Sequence, residues 1–297
     1  MDSMLSKTSD VKQDNGWPDL LSLLLLLIIV IRHASLPDWL DRGYTLFDQV
    51  GKGIVSATSG IVPFFFLLTG YIFFRDIPKK PGMSWFGDKY KRSLFVVIIP
   101  YLIANVITWV IYVALHKLAP DMLSGFFGDD WKNILFVFWT GPINLSLWLV
   151  RELIVLCLIS PLLWLLIRYS WGGVVVVIGI LWYFHNVPEP LFWFSLGAAL
   201  AVLLTHCQRM RGWLDRHPVR LAFLRKDWAW FVFLYHYIPQ IAMKKIGVAL
   251  LPEATSGGLI AVWIGNALIL LIGLTLVYYL LYRFAPKLLA VLTGSVR

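Results

Sequence analysis

Apolar residues along this chain gather into long runs broken by short polar segments. Two of them are LLSLLLLLIIVI after Asp19 and LIAVWIGNALILLIGLTLVYYLL after Gly258. A helix needs about 20 predominantly apolar residues to cross a bilayer, and runs near that length recur along the chain. The pattern predicts eight spans, at 19–36, 55–74, 93–115, 145–167, 172–187, 190–206, 229–247 and 259–282. The apolar/polar alternation over about ten residues that marks a membrane β-barrel is absent. The expected fold is therefore all-α, a polytopic transmembrane helix bundle in one domain over 1–297, with 1–18 as an N-terminal tail. No internal repeat or soluble domain interrupts it.

Composition agrees. The 297 residues are 59% hydrophobic and 14% charged, with mean hydropathy +0.74, where soluble domains carry about 25% charged residues. The net charge of +9 then concerns topology and anionic lipid before nucleic acid, because no soluble domain is left to carry a nucleic-acid surface. With both termini cytoplasmic, 18 of the 26 Lys and Arg fall on the inner side, as the positive-inside rule requires. The N-terminal tail lacks the shape of a signal peptide, so the first apolar run is expected to be a retained helix. Cys157 lies inside a predicted span and Cys207 at the end of another, a placement that does not favour a disulfide. Residues 126–144, rich in Trp and Phe, are too short and interrupted to span, and are expected at the outer interface.

Ionisable groups inside spans cost roughly 2.5–3.5 kcal/mol each on insertion scales and are functional candidates by default. Arg32 and His33 end the first span, Arg151 and Glu152 lie two turns into the fourth, and His236 lies two turns into the seventh. An imidazole can take and return a proton near neutral pH, which makes His33 the candidate for chemistry. It is equally suited to being an interfacial polar residue. Arg151 and Glu152 are adjacent and therefore expected to meet groups on other helices instead of each other, in catalysis or as structural contacts. His236 reads as a site residue or as a hydrogen-bonded core histidine. Tyr71, Trp148 and Tyr235 are candidates to line a substrate cavity or simply to pack. The segment 75–92 carries Arg75, Lys79, Lys80, Lys89, Lys91 and Arg92 against Asp76 and Asp88. Such a loop attracts phosphate groups, or only marks the inner face. The six histidines have no metal-ligand spacing, and no HExxH, GxxxxGK[ST] or GxSxG motif occurs.

Several of these stretches, in this order, resemble one family. Pro63-Phe64-Phe65-Phe66 followed by Thr69-Gly70-Tyr71 is similar to the "VPxFFxxSGY" signature of the integral membrane acyltransferase family 3. IVIRHAS resembles its first helix, Asn144 to Leu149 leading into Ser160-Pro161-Leu162-Leu163 its "hLWFL…PLL" helix, and AWFVFLYHYIP its late "YLxH" helix. The resemblance implies His33 as general base, Glu152 orienting it or the acceptor, and Arg151 or Arg32 stabilising an oxyanion. It also implies donor binding by Arg75, Lys89, Lys91 and Arg92. Arg32, Tyr71, Trp148, Tyr235 and His236 would line the substrate. Two departures stand out: Ser22 occupies a position where the family commonly has Arg or Lys, and a helical pair is missing before the late helix.

The expected activity is transfer of an acyl group, acetyl foremost, from cytoplasmic acyl-CoA to a hydroxyl of a cell-envelope glycan or lipid-linked sugar. The protein would work in the inner or plasma membrane among lipids, with acyl-CoA as co-substrate, no bound cofactor or metal and no nucleic acid. The competing class is a transporter or flippase-like exporter, since polar groups in an apolar bundle also suit a translocation path. A third reading is a non-catalytic scaffold.

Overall fold

A computed structural model describes residues 17–34, 45–78, 81–118, 141–206, 226–250 and 255–295. Among them every regular element is helical: α1 Trp17–His33, α2 Thr45–Ala57, α3 Ile61–Phe74, α4 Met83–Ser93, α5 Ile99–Leu118, α6 Trp148–Tyr183, α7 Glu189–His206, α8 Lys226–Tyr235, α9 Tyr237–Leu250, α10 Ser256–Phe284 and α11 Pro286–Thr293. Four helical stretches, Leu46–Phe74, Met83–Ala114, Leu145–Ser170 and Ser256–Phe284, are long and apolar enough to cross a membrane. Their outward faces are apolar too. On α10, Ile264, Leu268, Ile272 and Leu276 follow one another at four-residue spacing, each more than half exposed. That is the face a helix presents to lipid, where no polar side is needed. The N-terminal tail to residue 16, most of the aromatic stretch 126–144, Lys79, Lys80, Cys207 and most of the basic loop 207–228 lie outside the described residues.

Each predicted span overlaps helix, but among the described residues four stretches reach spanning length where eight were expected, and helix also occupies segments expected as loops. The segment expected as a loop before residue 55 contains α2, and the basic segment after 82 contains α4. α4 forms because Phe86 is buried and Trp85 and Tyr90 are half-buried against the bundle, while Asp88, Lys91 and Arg92 stay exposed. Hydropathy averaging misses such a helix because its polar face cancels its apolar one. α4 then enters α5 through a π-turn at Leu94–Ile98, in which Ile99 N–H bonds Leu94 O. The wide turn accommodates Pro100, whose missing N–H and bulky ring disturb an ordinary α-helical turn. α6 breaks at Ser170 (φ −157°, ψ 79°), between the two spans predicted there.

The core is built around α8. Phe231, Val232, Phe233 and Leu234 are all nearly inaccessible, and α1, α5, α10 and α11 pack around them. α3 and α7 form the tightest crossing in the bundle. A methyl group on Gly70 would run into the Phe194 carbonyl, and one on Gly197 into the Leu67 carbonyl. Small residues let two membrane helices approach to backbone contact, where dispersion forces act over many atoms. A second apolar cluster of Ala34, Phe47, Leu259, Trp263 and Ala267 joins the end of α1 to α2 and the start of α10.

Candidate active site

α1 ends at His33, and His236 is the single residue between α8 and α9. The break at His236 follows from Pro239 in the first turn of α9. Proline cannot donate to the Tyr235 carbonyl, and its ring would press against it. The Gln240 N–H instead reaches His236 O at 3.0 Å. His236 is completely buried, with Nδ1 2.7 Å from Phe233 O. Its Nε2 lies 3.4 Å from Nδ1 of His33, with ring centroids 5.4 Å apart. Gln240 Nε2 donates to Val30 O at 3.2 Å, fastening α9 to the last turn of α1 and so holding the two rings together.

One turn past Gln240, Lys244 is 7% exposed, and its charge acts on both imidazoles. The Arg32 charge acts on His33 as well. Arg32 itself donates from NH1 to Thr58 O at 3.3 Å, sharing that carbonyl with the Ile61 N–H at 3.2 Å. Two histidines and two cations therefore meet where α1 finishes.

Next to this cluster a buried polar network fixes the backbone. Asn144 N–H donates to Asn105 Oδ1 at 3.2 Å, Asn144 Nδ2 donates to Leu234 O at 3.2 Å, and Ser146 Oγ bonds Asn144 Oδ1. The network satisfies a carbonyl of α8 two residues before the break, which an apolar neighbour would leave unpaired.

Arg151 and Glu152 behave otherwise than expected. Arg151 NH2 donates to Glu152 Oε1 at 2.9 Å, so the adjacent residues do pair. Their Cβ atoms diverge by about 100° around the helix, but both side chains are long and flexible enough to bend back together. The pair is one-quarter to one-third exposed, and the Arg151 charge acts on Tyr101 of α5.

The basic residues collect at the other end of α3. His33 lies beside the start of α3, through Arg32 and Thr58, and Arg75 caps its end. Fourteen residues of α3 separate the two, about 21 Å at 1.5 Å per residue. Lys89 Nζ rests over Trp85 at 5.1 Å and Phe73 at 5.8 Å, and the charges of Arg75, Arg92 and Asp76 act on it. Arg75 also pairs with Asp76 at 3.5 Å, and Lys91 is exposed on α4. Tyr90 Oη donates to Leu158 O at 3.0 Å, tying α4 to α6.

Among the remaining candidates, Trp148 packs its ring 6.4 Å from Phe66. Tyr235 Oη donates to Leu292 O at 3.1 Å, which makes it a brace for α11. Tyr71 is half-buried on α3. Among the described residues no three His, Cys, Asp or Glu side chains come together as a metal site would need. Sequence reasoning missed Lys244, Gln240 and Asn144. The Lys244-Lys245 pair reads as the outer edge of a span, whereas in the fold Lys244 sits one turn past Gln240, which is bonded to α1, and is buried with it.

Comparison with known proteins adds one finding. A family model described as an acyltransferase domain, acyltransferase family 3, matches residues 15–224. No curated protein and no solved structure matches the chain. The match spans well over half of the chain, taking in α1 with His33, the basic end of α3 with α4, and the Arg151–Glu152 pair, and it stops before α8. The chain is a member of the acyltransferase family 3 of membrane proteins.

Proposed function

We propose that the protein moves an acyl group, acetyl in the simplest case, from acyl-CoA to a hydroxyl of a glycan or lipid-linked sugar. The observation that carries this reading is His33, inside the family match, facing His236 and the Lys244 charge at the end of α1. His33 takes the proton of the acceptor hydroxyl as its oxygen attacks the thioester carbonyl. The carbonyl electron pair moves onto oxygen, and the tetrahedral intermediate collapses with loss of the coenzyme A thiolate. That thiolate takes the proton back from His33, leaving an ester and free coenzyme A. Lys244 is a cation suited to the oxyanion, because it is buried and its charge acts on His33 where attack takes place. Glu152 and Arg151 then serve the acceptor or the thioester further along the path.

Donor phosphates bind at Arg75, Lys89, Lys91 and Arg92, and the long pantetheine arm covers the length of α3 to His33. In this reading the basic end faces the cytoplasm with both termini, and the membrane is the inner or plasma membrane. Purified protein given radiolabelled acetyl-CoA and an envelope glycan extract transfers label, and His33→Gln lowers the rate by about 10²–10⁴-fold. Solute flux without coenzyme A consumption, or full transfer in His33→Gln, overturns the reading.

A further inference from the structure

A general base needs its lone pair on the nitrogen that meets the substrate. A neutral imidazole holds its single proton on either ring nitrogen, and what the other nitrogen bonds decides which. His236 Nδ1 lies 2.7 Å from Phe233 O. A carbonyl can only accept, so this nitrogen carries the proton. In neutral His236 the remaining nitrogen, Nε2, is then an acceptor, and it faces His33 Nδ1 at 3.4 Å. Like charges at this separation repel, and Lys244 and Arg32 add to the positive potential there, so at most one ring of the pair is charged.

We infer that His236 is a positioning residue for acyl transfer, holding His33 in the tautomer that is protonated on Nδ1 and keeps its lone pair on Nε2. The direction is set by the backbone, running from Phe233 O through His236 to His33. When His33 gains the acceptor proton on Nε2, its Nδ1–H becomes a charge-assisted donor to His236 Nε2, which stabilises the imidazolium formed during attack. A carboxylate behind a catalytic histidine does the same work; here a neutral imidazole does it, in keeping with the cost of a bare carboxylate at a buried position. The supports of His236 serve the same end. Gln240 pins α9 to Val30 O, and Asn144 holds Leu234 O just before the break. The placement of the pair is thus fixed by three backbone carbonyls.

This inference rests on the acyl-transfer reading for its catalytic meaning, while the tautomer is measurable without turnover. Two variants separate the two bonds of His236. His236→Asn keeps a donor for Phe233 O and removes the acceptor facing His33. His236→Gln puts a carbonyl oxygen close to where Nε2 lies and loses the Phe233 bond. In full-length protein labelled with ¹⁵N-histidine, the His33 signals, assigned by their loss in His33→Gln, are expected to show protonated Nδ1 in wild type and in His236→Gln. They are expected to show a mixture of tautomers in His236→Asn. In steady-state transfer, His236→Asn lowers kcat by about 10²-fold with KM for acetyl-CoA little changed, and His236→Gln restores most of it. An unaltered His33 spectrum in His236→Asn, equal losses in the two variants, or a change confined to KM overturns the inference. Wild-type protein that shows the tautomer dependence but transfers no acyl group overturns the acyl-transfer reading alone.

Discussion

Lys244 shows how much a single buried charge matters in an apolar bundle. It is 7% exposed and acts on both imidazoles, so its removal leaves the histidine pair without its strongest neighbouring cation. Lys244→Met keeps most of the side-chain volume and deletes the charge. We expect turnover to fall by about 10²–10³-fold, the usual effect of losing one oxyanion donor, with the thermal unfolding midpoint in detergent near that of wild type. Unchanged kcat would assign the lysine a purely structural part. The residues most readable in the sequence were those whose cost is visible without coordinates: His33, Arg151, Glu152 and His236 are polar groups inside apolar runs. Their partners were not readable. Adjacency argued against an Arg151–Glu152 pair, yet 2.9 Å separates them, because side-chain length outweighs the 100° between neighbouring Cβ directions.

Helices here are placed by backbone contacts as much as by apolar area. The α3–α7 crossing depends on Gly70 and Gly197, where a Cβ would overlap a carbonyl of the facing helix. Gly197→Leu must therefore push α7 away from α3. Overpacking of this kind costs about 1–3 kcal/mol, occasionally more, and a lowered unfolding midpoint in mild detergent measures it. Gly53→Ala on α2, where a Cβ meets nothing within 4 Å, is the control and should hold the midpoint or raise it slightly, since alanine favours a helix over glycine. A Gly197→Leu protein as stable as wild type would show that the crossing is looser than drawn. Gly70 falls in a stretch that resembles a family motif, and packing against α7 supplies the reason for its glycine. α4 and the break at His236 belong to the same scale. The first hides from hydropathy because it is two-faced, and the second is written in Pro239 but takes effect only on the Tyr235 carbonyl.

Across the whole molecule, the charge pattern argues for one orientation. It predicts the basic end of α3 with α4 on the inner side and α2 with Lys52 on the outer side. In a variant cleared of Cys157 and Cys207, a cysteine replacing exposed Lys52 is expected to react with a membrane-impermeant maleimide on intact cells. One replacing exposed Arg92 should react only after permeabilisation. The reverse pattern would invert the bundle. Length, apolar runs and the order of short motifs were enough to determine a helical membrane protein of the acyltransferase family, because a bilayer demands internally hydrogen-bonded apolar segments whatever their neighbours. The tertiary structure alone decided which polar groups meet. The approach of His33 to His236 joins residues 203 positions apart, and it is held by a helix break at His236 and a glutamine strut from α9 to α1 acting together. No local pattern encodes that meeting, since each of those residues is read one way along its own helix and another once the helices are packed.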